Sequence, residues 1–164
     1  DTEPLKPESY EIYYDLDELG RCTLADAVVG KDLMPTDDRG DISRIYPTGW
    51  VQNKYSFVEQ EALYNRSHLI GHQLTGENDN EKNMNADGMI PFENMVADYV
   101  NETGGHVLYR VTPIFEGSNL VAAGVLMEAK SVEDNGESVE YCVFCYNVQP
   151  GVVINYANGD NRAA

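Results

Sequence analysis

Residues 63–100 read LYNRSHLIGHQLTGENDNEKNMNADGMIPFENMVADYV, and the architecture is decided inside this stretch. Arg66 and His68, two apart, would share one face of a strand. Gly76 to Asn85 (GENDNEKNMN) is too polar for a core strand and carries turn-forming residues. Pro91 then opens a helical pattern, as proline does in a first turn. Phe92, Met95, Val96 and Tyr99 fall at i, i+3, i+4 and i+7, which predicts a helix over Pro91–Glu102 ended by Gly104 and Gly105. Side chains able to do chemistry crowd the same stretch: Arg66, His68, His72, Asn83, Asn85, Glu93 and Asn94.

Outward from that stretch the chain alternates apolar and polar residues, as strands do. On the N-terminal side, Tyr10–Tyr14 and Arg21–Val29 read as strands, Met34–Gly49 as a turn-rich loop, and Trp50–Tyr55 as another strand. On the C-terminal side, His106–Phe115, Leu120–Ser131, Val139–Val148 and Val152–Tyr156 read as successive strands. Gly117–Ser118, Asn135–Gly136 and Pro150–Gly151 form the turns between them. The expected fold class is α+β: an antiparallel β-sheet core with one helix packed on it. A chain of 164 residues is expected to form a single domain over 1–164, with 1–9 as a polar arm.

The formal net charge is −17. That is the wrong overall sign for a general polyanion binder, since phosphate contacts come from Lys and Arg. Nucleic-acid binding would need a local basic patch, for which Arg39, Arg44, Lys54, Arg66 and Lys82 lie near the central stretch. No apolar run is long enough to span a bilayer. The start at Asp1, without a signal peptide, reads as a mature or trimmed chain. Of the three cysteines, Cys142 and Cys145 form a CVFC. Its context, VEYCVFCYNV, is that of a strand, where residues three apart point to opposite faces. Free thiols are therefore expected, rather than a zinc site or a disulfide framework.

A neutral imidazole with a pKa near 6.5 can take a proton from water at physiological pH. With Arg66 beside it, His68 becomes a general base next to a fixed cation, a pairing suited to an anionic substrate. A strand carrying His and a helix carrying Asn and Glu, facing one another, compose a metal-dependent phosphodiesterase site. His72 lies four residues after His68, but Ile70 and Gly71 argue against the helix that an HxxxH zinc pair needs, and the Glu of HExxH is absent. His106, Tyr46 and Trp50 read as ordinary surface, core or rim residues.

Asn65-Arg66-Ser67-His68 resembles the Asp-Arg-Gly-His motif of the DNA/RNA non-specific endonucleases. These ββα-metal nucleases include streptococcal secreted DNases and the Serratia nuclease. The surrounding NRSHLIGHQLTGENDNEKN and GMIPFENMVADYVNETGGHVLYRVTPIFEG are similar to the streptococcal-type branch, and the likeness runs from about Tyr10 to Gly159. The resemblance implies a ββα-metal catalytic motif. It makes His68 the general base, Asn85 the direct protein ligand of Mg²⁺ (with Mn²⁺ or Ca²⁺ as substitutes), and Glu93 a holder of the ion's waters. It makes Asn83 an orienting residue and Arg66 a stabiliser of charge on the phosphate. It also implies DNA and RNA as substrates, 5′-phosphate products, secretion from a bacterium, and a protein inhibitor or immunity partner in some settings.

The sequence departs from the family pattern at three places. Asn65 stands for Asp, Ser67 stands for Gly, and only Met84 separates Asn83 from Asn85, where relatives carry several more residues. The short spacing is read as an unobserved loop, which predicts a break in the chain between Met84 and Asn85. If the residues are instead deleted, Asn83 stays tied to the polar loop and metal affinity suffers. Two other readings follow from the short spacing and the charge: a weak or inactive nucleic-acid-binding domain on the same fold, and the toxin domain of a larger bacterial protein.

Overall fold

The computed structural model describes residues 7–36, 46–58, 61–63, 65–76, 81–84 and 88–164, with the backbone alone over 65–68 and 81–84. Its strands are β1 (Tyr10–Tyr13), β2 (Ala25–Val29), β3 (Asn65–His68), β4 (Glu81–Met84), β5 (Val107–Ile114), β6 (Gly124–Ser131), β7 (Glu140–Tyr146), β8 (Val152–Ile154) and β9 (Asn161–Ala163). The helices are α1 (His72–Thr75) and α2 (Ile90–Thr103). Five strands form one antiparallel sheet in the order β1-β2-β5-β6-β7. The pairs β3-β4 and β8-β9 are separate two-stranded ribbons. This is the α+β architecture that the alternation predicts.

The sheet buries one face. Along β5, Val107, Tyr109 and Val111 are buried while Leu108 and Arg110 are exposed. The register stacks Tyr109 on Ala129 and Tyr141, and Val111 on Met127 and Val143. From β2, Ala25, Ala27 and Val29 complete the buried face. Val96, Ala97, Tyr99 and Val100 of α2 pack on it, joined by Leu69, Ile70, Leu74 and Met89. On the outer face Arg110 lies in register between Asp26 and Glu128 and forms an ion pair with Asp26 at 3.4 Å. Pro113 is tolerated within β5 because β2 ends its pairing at Val111, so the missing N–H removes no bond to a neighbour on that side.

Helix α2 begins one residue before the expected start and ends one residue later. Pro91 lies in its first turn, and Gly104, with φ 69°, returns its N–H to the Val100 carbonyl. Its core stripe differs from the expected one. Glu93, Val96, Ala97 and Val100 are the buried i, i+3, i+4, i+7 set, with Tyr99 beside them, and Met95 is 43% exposed. A carboxylate occupies the inward position that the apolar pattern assigned to its neighbours.

One further expectation is corrected, and two strands arise that the sequence did not signal. Trp50–Tyr55 is not a strand; it contributes an isolated bridge from Lys54 to Ala62. The polar segment before Asn85 does contain a strand, β4, which pairs with β3 rather than entering the main sheet. The ladder supplies its hydrogen bonds, so β4 forms without an apolar face. The chain end adds β9, paired with β8, which alternation did not signal.

Candidate active site

The candidate site joins the β3–β4 ribbon to the start of α2 through the connection that follows β3. In the β3–β4 ladder Arg66 pairs with Asn83 and His68 with Glu81. Strand alternation places positions 66, 68, 81 and 83 on one face of the ribbon. Asn83 is thus a strand residue opposite Arg66, not a residue tied to a polar loop. Glu81 joins these positions although the sequence reading did not single it out; its distance from His68 in sequence gave no signal. Asn85, and the joint after Met84 at which a break is expected, lie outside the described residues.

From His68 the chain runs through buried Leu69 and Ile70 to Gly71, the cap of the single-turn α1. Gly71 touches the other half of the site. A methyl group built on it would lie 3.1 Å from Cδ and from both carboxylate oxygens of Glu93. The end of the β3 connection and the first turn of α2 therefore meet at the Glu93 carboxylate, which is 8% exposed. His72 opens α1 while His68 lies in β3, so the two do not share a helix and the HxxxH geometry is not formed. Asn94 points to the surface, where its Oδ1 accepts a hydrogen bond from Gln73 Nε2 at 3.2 Å and ties α2 to α1.

The start of α2 is pinned to the sheet by contacts the sequence did not reveal. Tyr141 donates its hydroxyl to the Phe92 carbonyl at 3.0 Å, and the two rings pack 5.2 Å apart. The Cys145 thiol donates to the Gly88 carbonyl at 3.2 Å. Tyr141 is pushed well above the usual phenol range by burial and then by the negative charge of Glu93. Burial does the same to Tyr109, again with Glu93 as the next contributor. Both phenols thus stay protonated beside the carboxylate. His106, away from this site, contacts Glu133 through Nδ1 at 2.6 Å and serves the turn after β6.

The sequence profile of the DNA/RNA non-specific endonucleases matches residues 5–133. The chain belongs to the DNA/RNA non-specific endonuclease family. Members of this family are hydrolases, and the endonuclease described here shares their fold with several solved structures. Magnesium-bound NucA from Streptococcus agalactiae superposes with a TM-score of 0.86 at 23% identity, over 98% of this chain and 80% of that one. The zinc-bound Sda1 nuclease gives 0.82 at 25% identity, over 94% and 81%. An extracellular endonuclease gives 0.72 at 20% identity, over 98% and 89%. No curated protein matches the endonuclease.

The donor chemistry of the site suits a hard divalent cation. Glu93 offers carboxylate oxygen, the ligand type of Mg²⁺, Mn²⁺ and Ca²⁺. Among the described residues no three His, Cys, Asp or Glu side chains gather into a metal cluster. The carboxylate at Gly71 is buried rather than spread into solvent.

Proposed function

We propose that the chain is a Mg²⁺-dependent, sugar-non-specific endonuclease that hydrolyses DNA and RNA to 5′-phosphate products, with its catalytic domain spanning residues 1–164 and residues 1–9 as an arm. The observation that carries the reading is the Glu93 carboxylate, buried in the first turn of α2 and seated on Gly71, three residues beyond His68. That carboxylate lies where the connection leaving the strand of the candidate base meets α2.

In this reading His68 accepts the proton of the attacking water, and Arg66, two residues away on β3, stabilises the charge that builds on the phosphate. Asn83, paired with Arg66 in the ladder, steadies that end of the ribbon. Asn85 holds the Mg²⁺ ion and Glu93 orients its hydration shell. Once bound, the ion polarises the scissile phosphate and stabilises the leaving 3′-oxygen. No role falls to the ribose 2′-hydroxyl or to the base edges, so both nucleic acids are substrates and sequence is not read. No helix among the described residues is long and apolar enough to cross a membrane. The extracellular relative supports secretion from a bacterial cell.

Incubation with supercoiled plasmid and with single-stranded RNA, in Mg²⁺ and then in EDTA, tests the reading. Cleavage of both in Mg²⁺, its loss in EDTA, and product ends that ligase can rejoin without added kinase are expected. Cutting that persists in EDTA, or sparing of RNA, would overturn the metal or the substrate assignment respectively.

A further inference from the structure

One row of the sheet's inner face carries two phenols in register: Tyr109 on β5 and Tyr141 on β7, separated by Ala129 on β6. The small side chain between them leaves room for both rings under the helix. Tyr141 spends its hydroxyl on the Phe92 carbonyl, the residue before Glu93. Tyr109 is 1% exposed, and its hydroxyl has no hydrogen-bond partner among the described residues. A buried tyrosine hydroxyl normally finds an acceptor, and one left alone weakens the fold. Phenylalanine would make the better core residue at this position, so the hydroxyl calls for another explanation.

The acceptor is close at hand. Glu93 is the buried acid on α2, one residue after Phe92, whose carbonyl is held by Tyr141 from the same row of the sheet as Tyr109. The hydroxyl makes no direct bond to the carboxylate. One trapped water can bridge a buried hydroxyl and a carboxylate that do not touch. We propose that Tyr109 is a positioning residue: its hydroxyl donates through one bridging water to the Glu93 carboxylate and holds that carboxylate in the orientation seen against Gly71. The inference rests on the reading of Glu93 as a residue that serves the divalent cation. It assigns a role to a strand residue far from the catalytic motif in sequence. Gly71 bounds the carboxylate on one side, and the water held by Tyr109 fixes it from within the helix–sheet layer.

The test is a double-mutant cycle of Tyr109→Phe and Glu93→Gln, read by electron paramagnetic resonance of free Mn²⁺ during titration and by thermal melting without metal. Tyr109→Phe is expected to melt at or above the wild-type temperature and to bind Mn²⁺ about tenfold more weakly, the size of one charge-assisted hydrogen bond. In the Glu93→Gln background the same change is expected to alter Mn²⁺ affinity less than about twofold, because the shared route is already cut. Unchanged Mn²⁺ affinity in a folded Tyr109→Phe protein, with Glu93→Gln weakened, would overturn this inference alone. Unchanged affinity in Glu93→Gln, or no Mn²⁺ binding by the wild type, would overturn the reading of Glu93 and this inference with it. A Tyr109→Phe protein that does not fold would also overturn it, since the hydroxyl would then be a structural bond rather than a positioning one.

Discussion

Substitution of Gly71 by alanine should separate the stability of this protein from its activity. Gly71 has φ −60° and ψ 138°, a conformation open to any L-residue, so alanine meets no backbone strain there. Removing glycine's freedom from the unfolded chain contributes roughly 0.4–1 kcal/mol of stability. The new methyl, however, would stand 3.1 Å from the carboxyl carbon and both oxygens of Glu93. Comfortable contact begins at about 3.5–4.0 Å, so the carboxylate must withdraw by roughly half an ångström. With only 8% of Glu93 exposed, it withdraws into packed surroundings rather than into water. Local crowding of this kind costs about 1 kcal/mol at its lower end and offsets the entropic gain. The expected outcome is a melting temperature within about 4 °C of wild type. The rate should fall by about tenfold, since misplacing a catalytic group by about 1 Å can lose 100-fold. Calorimetry and initial rates of plasmid nicking across a Mg²⁺ series measure the two quantities together. Wild-type rate and wild-type Mg²⁺ dependence in folded Gly71→Ala would refute the idea that the Glu93 position matters. A fall of more than about 10 °C would show that the methyl disturbs the backbone instead.

Two other predictions follow from the site and the surface. His68→Ala should fold and lose about 10²- to 10⁴-fold in hydrolysis, whereas His72→Ala should stay within a few-fold of wild type by the same assay; equal losses would return the zinc pairing to consideration. Asp134 accepts hydrogen bonds from the Ser131 hydroxyl and the Ser138 and Gly136 amides, and its carboxyl is lowered from 3.8 to about 2, chiefly by Ser131 and Ser138. A depressed folded pKa stabilises above the unfolded value and loses that effect as pH falls through the folded one. Asp134→Asn should therefore lower the melting temperature at pH 6, with the deficit closing between about pH 4 and pH 2; a deficit unchanged at pH 2 would exclude the carboxylate as its source.

The parts of the fold that were legible in the sequence are those in which one face is buried. In β5, β6 and β7 the period-two pattern follows directly from a sheet covered on one side. Pro91 and Gly104 marked the ends of α2 for reasons of backbone chemistry that act locally. What escaped was structure held by partners rather than by pattern. The polar Glu81–Met84 forms a strand because β3 offers it a ladder, and nothing in its own composition records that. Of the predicted helix stripe, Phe92, Val96 and Tyr99 pack inward and Met95 does not, and Glu93 was missed because a pattern of apolar residues passes over a buried acid. That misreading coincides with the site, as it should where function overrides packing. The roles proposed for His68, Arg66, Asn83 and Asn85 come from their likeness to a family motif. Gly71, Tyr109 and Tyr141 were not legible, because their meaning lies in contacts between segments far apart in the chain.

The CVFC of β7 has a practical consequence. Cys142 and Cys145 are three residues apart on one strand, and the pleat sends them to opposite sides: Cys142 is exposed, while Cys145 is buried against Gly88 and Met127. Cys22, the remaining cysteine, is half-buried. A maleimide dye added briefly to the native protein should therefore modify Cys142 first. The label would stand on the outer side of the sheet, across its full thickness from α2. Such a protein could be followed by fluorescence as it meets nucleic acid, with the reporter on the face of the sheet opposite α2.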